Sequence, residues 1–252
     1  MYNYRKDINT KGKIILILII ILSLNSCNKY SAENDAVYYK SWNEGTGSHK
    51  NQLVGANQKT FEILEYESYA KDDKLVFYDG QVIKGADALT FVAIGDFYAK
   101  DKNKGYYAGD SIENSKGKSF KVIDSYYSTD GYDIFYTTKA LHVCSANNFK
   151  FVYKDNSEDE WERWTTDGCY YYFKELKIPS NDYKNVTLFK ESAGFAKDKQ
   201  WIYYRNRKLN YDDTGKKILD TVDLKTFTVK NYLDCKDKFG CINPYHGREK
   251  CN

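Results

Sequence analysis

Proline and methionine are nearly missing, with 2 Pro and 1 Met in 252 residues. Charge of one sign is missing too: 38 Lys and Arg face 35 Asp and Glu, for a net charge of +3, and the two signs are interleaved. That excludes the basic stripe that a nucleic-acid partner would need. Histidine is scarce, at His49, His142 and His246 only. No Gly-x-Ser-x-Gly, His-Glu-x-x-His or phosphate-loop pattern occurs, so no catalytic residues, no cofactor and no metal site are assigned. Long apolar runs are absent apart from Ile14 to Leu22, which is shorter than the roughly 20 residues a membrane-spanning helix needs. What is abundant is aromatic: 25 Tyr and 13 Phe, a composition of strands rather than helices.

The apolar run stands in a particular place. Arg5, Lys6, Lys11 and Lys13 precede it, and Ser23-Leu24-Asn25-Ser26-Cys27 follows. A basic segment, a short apolar segment and a small residue before the cut make a secretory signal, residues 1–26. Leu24-Asn25-Ser26-Cys27 resembles a bacterial lipoprotein box, in which the Cys thiol takes a diacylglyceryl group. The resemblance implies cleavage before Cys27, lipidation of Cys27 and membrane attachment through that anchor. Several acyl chains hold where one does not. Residues 27–36 are polar and read as a tether. Asn28 rather than Asp follows Cys27, which points to the outer membrane, and the lack of an acidic run behind it favours the periplasmic face over the cell surface.

The rest of the chain repeats. Tyr69-Ala-Lys-Asp-Asp-Lys-Leu-Val-Phe-Tyr78, Tyr98-Ala-Lys-Asp-Lys-Asn-Lys-Gly-Tyr-Tyr107 and Tyr127-Ser-Thr-Asp-Gly-Tyr-Asp-Ile-Phe-Tyr136 share one pattern. Trp164 to Phe173 and Phe195 to Tyr204 are looser copies. The shared aspartates Asp72, Asp101, Asp130, Asp167 and Asp198 stand 29, 29, 37 and 31 residues apart. An aliphatic residue follows each copy at Ile83, Ile112, Leu141, Ile178 and Leu209. A Phe then opens another apolar patch at Phe91, Phe120, Phe149, Phe189 and Phe227. With the Tyr38-Tyr39 pair there are about six copies. Asp79-Gly80 and Ala108-Gly109 mark two-residue hairpins, while Thr137-Thr138, Lys174-Glu175 and Arg205-Asn206 are weaker turn signals. Each copy reads as two or three short strands, the Phe patch being the third, with Ala-Lys-Asp-Lys-Asn as a polar turn. A unit of this size cannot bury its own apolar face, so neighbours must stack. The fold class is all-β: tandem ~29-residue β-hairpin repeats in a solenoid-like or propeller-like array. The repeat domain spans residues 37–230, and 231–252 form a Cys-rich tail.

Tyr98-Ala-Lys-Asp-Lys-Asn-Lys-Gly-Tyr-Tyr107 and Gly85-Ala-Asp-Ala-Leu-Thr-Phe91 resemble the DKNYY family of bacterial repeat proteins. The resemblance covers roughly residues 35–230. It implies a repeat lipoprotein and no catalytic residue.

Asp101-x-Asn103-x-Gly105 begins like a calcium loop but lacks the acidic ligand near the twelfth place. A turn-capping role for the repeated Asp is expected instead. Five cysteines besides Cys27 remain, and export favours disulfides. Cys144 and Cys169 lie in adjacent copies and suit a staple. Of Cys235, Cys241 and Cys251, two should pair, Cys235 with Cys241 or with Cys251. Cys235-x5-Cys241-x4-His246-x4-Cys251 resembles a zinc knuckle only in its second half. The insert Lys154 to Trp164 carries two Trp among acids, so Trp161 and Trp164 are the candidate binding residues. Three functional expectations follow. The first is a non-catalytic binding or scaffold lipoprotein of the envelope, meeting a protein or glycan. The others are a glycan-processing enzyme with two carboxylates, and an immunity or inhibitor lipoprotein.

Overall fold

The computed structural model describes residues 29–152, 164–190 and 192–251. Cys27 and Trp161 lie outside the described residues. Two compact units divide the chain, residues 1–89 and 90–252. Among the described residues both are built from small antiparallel sheets joined in chain order, with single 3-10 turns at Gly117–Ser119, Ala146–Asn148 and Tyr183–Asn185 in the second. The all-β class is therefore as expected.

The first unit holds sheets 1 and 2. Sheet 1 has three strands: Tyr30–Glu33, Ala36–Asn43 and Gly47–Gln52. Sheet 2 has four: Glu62–Ile63, Tyr69–Lys71, Val76–Tyr78 and Gln81–Val82. The second unit holds five four-stranded sheets. Sheet 3 is Val92–Ala93, Tyr98–Lys100, Gly105–Tyr107 and Asp110–Ser111. Sheet 4 is Lys121–Val122, Tyr127–Thr129, Ile134–Tyr136 and Lys139–Ala140. Sheet 5 is Lys150–Phe151, Trp164–Thr166, Tyr171–Phe173 and Leu176–Lys177. Sheet 6 is Thr187–Leu188, Phe195–Lys197, Ile202–Tyr204 and Arg207–Lys208. Sheet 7 is Thr228–Asn231, Asp234–Asp237, Gly240–Asn243 and Gly247–Glu249.

Three sequence expectations change here. The repeat has four strands, not two or three. Tyr-Ala-Lys is a strand, and only the Asp after it begins the turn. The residues after Phe91 and Phe120 are not the third strand of the copy behind them. They pair with the Tyr-Ala-Lys strand ahead, Val92 with Lys100 and Lys121 with Thr129. Each of these patches thus ends one copy in sequence and begins the next sheet in space. Strands of two residues are too short to show a period-two pattern, which is why sequence alone hides them.

The strand-to-strand hairpins keep one geometry. Tyr78 pairs with Gln81, Tyr107 with Asp110, Tyr136 with Lys139, Phe173 with Leu176 and Tyr204 with Arg207, so every loop has two residues. The first loop residue has positive φ in all five, from 43° at Asp79 to 58° at Lys174. In the first two loops Gly80 and Gly109 follow with φ of 77° and 83°, the sign pattern of a type I′ turn. At Gly80 the Tyr39 ring also approaches, and a Cβ there would stand 2.5 Å from it. Thr, Lys and Arg adopt the same φ sign in later copies because the register on both sides leaves the loop no other path.

The packing explains the unbroken aromatic pairs. Side chains alternate between the two faces of a strand, and both faces are buried. The middle residues face back to the sheet before: Ala70 and Phe77 of sheet 2 cluster with Tyr30, Val37 and Leu53. The flanking residues face forward. Tyr98, Ile112 and Phe120 meet Phe135 of sheet 4. Tyr127, Ile134 and Leu141 meet Tyr172 of sheet 5. Trp164, Phe173 and Ile178 meet Ala196 and Tyr203 of sheet 6. Phe195, Ile202, Tyr204 and Leu209 meet Phe227, Cys235 and Ile242 of sheet 7. Burying each large ring contributes on the order of 2 kcal/mol. Within sheets 2 to 6 the two flanking aromatics also touch, with centroids 4.8 Å apart for Tyr69–Tyr78, 4.9 Å for Tyr98–Tyr107 and 5.2 Å for Trp164–Phe173.

Residues 231–252, read from sequence as a tail, build most of sheet 7. Phe227 leads into its first strand as Phe91 leads into sheet 3. Asp237 holds the position of Asp198, 39 residues later. Cys235 takes the small buried place that Ala70, Ala99 and Ala196 fill in other sheets, and is 1% exposed.

Candidate functional site

The repeated aspartate is an organising group of each sheet. Asp72, Asp101, Asp130, Asp167, Asp198 and Asp237 are all buried. One carboxylate oxygen accepts the backbone N–H groups two and three residues on: Asn103 and Lys104 to Asp101 at 2.7 and 2.9 Å, Cys169 and Tyr170 to Asp167 at 2.8 and 2.7 Å. This is the turn cap expected from sequence, made by a side chain bonding its own backbone. The second oxygen reaches a preceding loop, accepting from Asn57 N–H at Asp72, Lys116 N–H at Asp130, Cys144 N–H at Asp167 and Asp223 N–H at Asp237. Where the residue five places on is Tyr, its hydroxyl joins: Tyr106, Tyr172 and Tyr203 donate at 2.7, 2.8 and 2.6 Å. In sheet 7 that place is Ile242, and Arg248 supplies the donors instead, with one terminal nitrogen on each oxygen of Asp237. Burial pushes the carboxyl of Asp167 up. The N–H groups of Cys144, Cys169 and Tyr170 outweigh it and hold Asp167 below its ordinary range. Burial is likewise outweighed at Asp198 by Tyr203 and Ser180, and at Asp237 by Arg248. These acids carry structure.

The turn that each aspartate caps also projects side chains outward. In sheets 2 and 3 they are Lys74 and Asn103. From sheet 4 on, a ring stands there. Tyr132, Tyr170 and Phe239 are 69%, 36% and 56% exposed, and Trp201 is half-buried. Every one carries a cation on its face. Lys177 Nζ lies 4.2 Å from the Tyr170 centroid, Lys208 Nζ 3.6 Å from Trp201, and the Arg248 guanidinium 5.4 Å from Phe239. Those three cations share one register position in the fourth strand, opposite Tyr172, Tyr203 and Ile242. In sheet 4 that position is Ala140, opposite Phe135, and Lys116 reaches Tyr132 from the preceding loop, at 3.4 Å. Such contacts contribute roughly 0.5–1 kcal/mol each at exposed sites. Four successive sheets thus present a ring–cation pair at equivalent places. Sequence reading missed these residues because the ring alternates between two and three places after the Asp. In sheets 5, 6 and 7 the usable signal was a Lys or Arg ten or eleven places after it.

Trp164, paired with Trp161 as a candidate anchor, is not exposed. It fills the first aromatic place of sheet 5, 2% exposed, and its Nε1–H donates to Phe189 O at 3.4 Å. Burial in the intersheet core removes it from any surface.

Cys144 and Cys169 form a disulfide, with Cα atoms 6.3 Å apart, that ties the loop before sheet 5 to the tip of its central hairpin. Asp167 lies beside this pair, but both sulfurs are already spent on the bond. The expected pairing of Cys235 is corrected. Cys241 bonds Cys251 across ten residues, and Cys235 is free and buried. Its neighbours along the strand alternate to the other face, so its thiol points into the apolar core, where burial pushes it up to about 12.

No helix among the described residues is long and apolar enough to cross a membrane. No curated protein matches the chain, and no solved structure does. The DKNYY family model matches residues 3–110, a stretch that ends in sheet 3. The same aspartate frame runs on through the sheets beyond it. Over residues 3–110 the chain matches the DKNYY family.

Proposed function

We propose that the protein is a non-catalytic binding lipoprotein of the cell envelope. It is held in the outer membrane by lipid on Cys27, faces the periplasm and meets an envelope glycan or protein through the turn rim of residues 90–252. The observation that carries this reading is the ring–cation pair repeated in four successive sheets, with the cation at one register in three of them and from the preceding loop in sheet 4. Exposed aromatic and cationic side chains are the commonest anchors of recognition surfaces, and here a structural repeat multiplies them. The anchor rests on the basic segment, the apolar run and Leu24-Asn25-Ser26-Cys27. We further propose that the five sheets of this unit form a solenoid-like or propeller-like array, since each contributes its central strands to the core of the next.

The test is capture from native envelopes by the protein and by a variant with Tyr132, Tyr170, Trp201 and Phe239 changed to Ser. The expected result is a partner held by the parent and lost by a variant whose near-ultraviolet dichroism is retained. Equal capture by both would remove the rim from the account. Radiolabelled palmitate appearing in the parent but not in Cys27→Ser tests the anchor separately.

A further inference from the structure

A cleft of about 540 Å³ opens beside the two-residue loop of sheet 6. Arg205, Arg207 and Lys208, three cations within four residues, line it together with Asn206, Tyr211 and Leu176. The two arginines are held differently. Arg207 is committed to the protein: its Nε–H donates to Asp213 and its terminal nitrogens to Tyr211 O and Pro244 O. Arg205 is oriented but not consumed. Its Nε–H donates to Ala193 O at 3.4 Å, and its two terminal nitrogens make no hydrogen bond among the described residues. Both guanidinium groups rest on one ring, 5.0 and 5.1 Å from the Tyr204 centroid. The fork of Arg205 is thus preorganised, which lowers the entropy lost on engaging a ligand.

The acids of the cleft do not neutralise it. Asp213 pairs with Arg207. Asp212 turns its carboxylate into its own loop, accepting from Thr214 N–H, Thr214 Oγ–H and Lys216 N–H at 2.9, 2.7 and 2.9 Å. Arg205 is the cation left to a ligand; Lys208 lines the cleft with its ammonium resting on Trp201, and the amide of Asn206 stands between the two in sequence.

We propose that this cleft binds a sugar residue bearing an anionic group, a carboxylate or a phosphate. A planar fork accepts either anion through two parallel hydrogen bonds. Asn206 and the Lys208 ammonium suit neighbouring hydroxyls, and Tyr211 with Leu176 offers an apolar side to a sugar ring. A saccharide fits better than an acidic peptide, because Lys208 also covers Trp201 of the ring–cation rim. A polymer of repeating units matches a rim of repeating pairs. The inference therefore rests on the binding reading above and narrows its ligand to acidic glycans.

The test is calorimetric titration of the full chain in detergent with glucuronate, glucose 6-phosphate, glucose and inorganic phosphate. It needs no envelope partner, so capture can fail while this result stands. The expected result is binding of at least one anionic sugar in roughly the millimolar range, with glucose and inorganic phosphate at least tenfold weaker. Arg205→Gln should weaken the anionic sugar tenfold or more. Lys208→Gln, changed on a separate side chain, should weaken it severalfold and guards against misfolding of the first variant. No heat with either anionic sugar, equal binding of inorganic phosphate, or unchanged affinity in both folded variants would overturn the proposal.

Discussion

Sheets 3 and 7 are built on one frame from almost unrelated letters. In sheet 3 the central strands read Tyr98-Ala-Lys and Gly105-Tyr-Tyr107; in sheet 7 they read Asp234-Cys-Lys-Asp237 and Gly240-Cys-Ile-Asn243. Only the Lys and the aspartate recur. Yet Asp101 and Asp237 are both buried and both cap the turn beyond them. Tyr106 completes the first carboxylate and Arg248 the second. Ala99 and Cys235 fill the same small buried place. The difference teaches that the repeat is defined by a buried acceptor and a strand register, and that the aromatic letters are one way of covering them.

The comparison can be broken hardest at its shared point. Asp101→Ala and Asp237→Ala each leave several buried donors without an acceptor and should cost about 3–5 kcal/mol, measured by urea unfolding. If only Asp101→Ala is costly, sheet 7 does not share the frame. A similar loss, roughly 3 kcal/mol, is expected where sheet 3 has no room. A Cβ on Gly105 would lie 2.5 Å from the Phe120 ring, whereas Ile134 and Ile202 hold that place in sheets 4 and 6. The completing donors should matter less: about 2 kcal/mol for Arg248→Met and about 1 kcal/mol for Tyr106→Phe. Smallest of all is Cys235→Ala, expected within about 1 kcal/mol of the parent because sheets 2, 3 and 6 already use Ala there.

Acidity probes several of these carboxylates together. The folded state holds Asp167, Asp198 and Asp237 below the ordinary carboxylate range. Their contribution is complete above the unfolded value near 3.9 and is lost as pH falls from there through the lower folded values. A folding titration from pH 7 to pH 2 should therefore stay flat until about pH 4 and fall below it. A decline centred near pH 6 would point to histidine instead.

Much of the repeat was legible. The aspartate spacing, the aromatic pairs and the aliphatic positions Ile83, Ile112, Leu141, Ile178 and Leu209 all occupy the places that their pattern implies, and all five aliphatics are buried. Sheet 7 was hidden because Cys235 reads as a disulfide or zinc residue when met in sequence, and only packing shows it standing in for alanine. The loop from Asn210 to Val222 also stretches the period before it. Trp164 misled for the opposite reason: the acids around it suggested a surface, but an aromatic at the head of the second strand is core in every sheet from 2 to 6. The ring–cation rim was hard to read because each ring stands in the capped turn while its cation comes from the fourth strand or, in sheet 4, from the preceding loop, so that only the fold brings the two together.

Amide hydrogen exchange on the chain with its disulfides reduced tests the shared frame most directly. If the aspartate and the register define the repeat, the amides of Cys235, Phe239 and Ile242 will be protected to within about tenfold of those of Ala99, Asn103 and Tyr106. Exchange of residues 234–243 at the rate of an unfolded chain, while sheet 3 stays protected, would contradict the account and leave the last segment held by the Cys241–Cys251 bond alone.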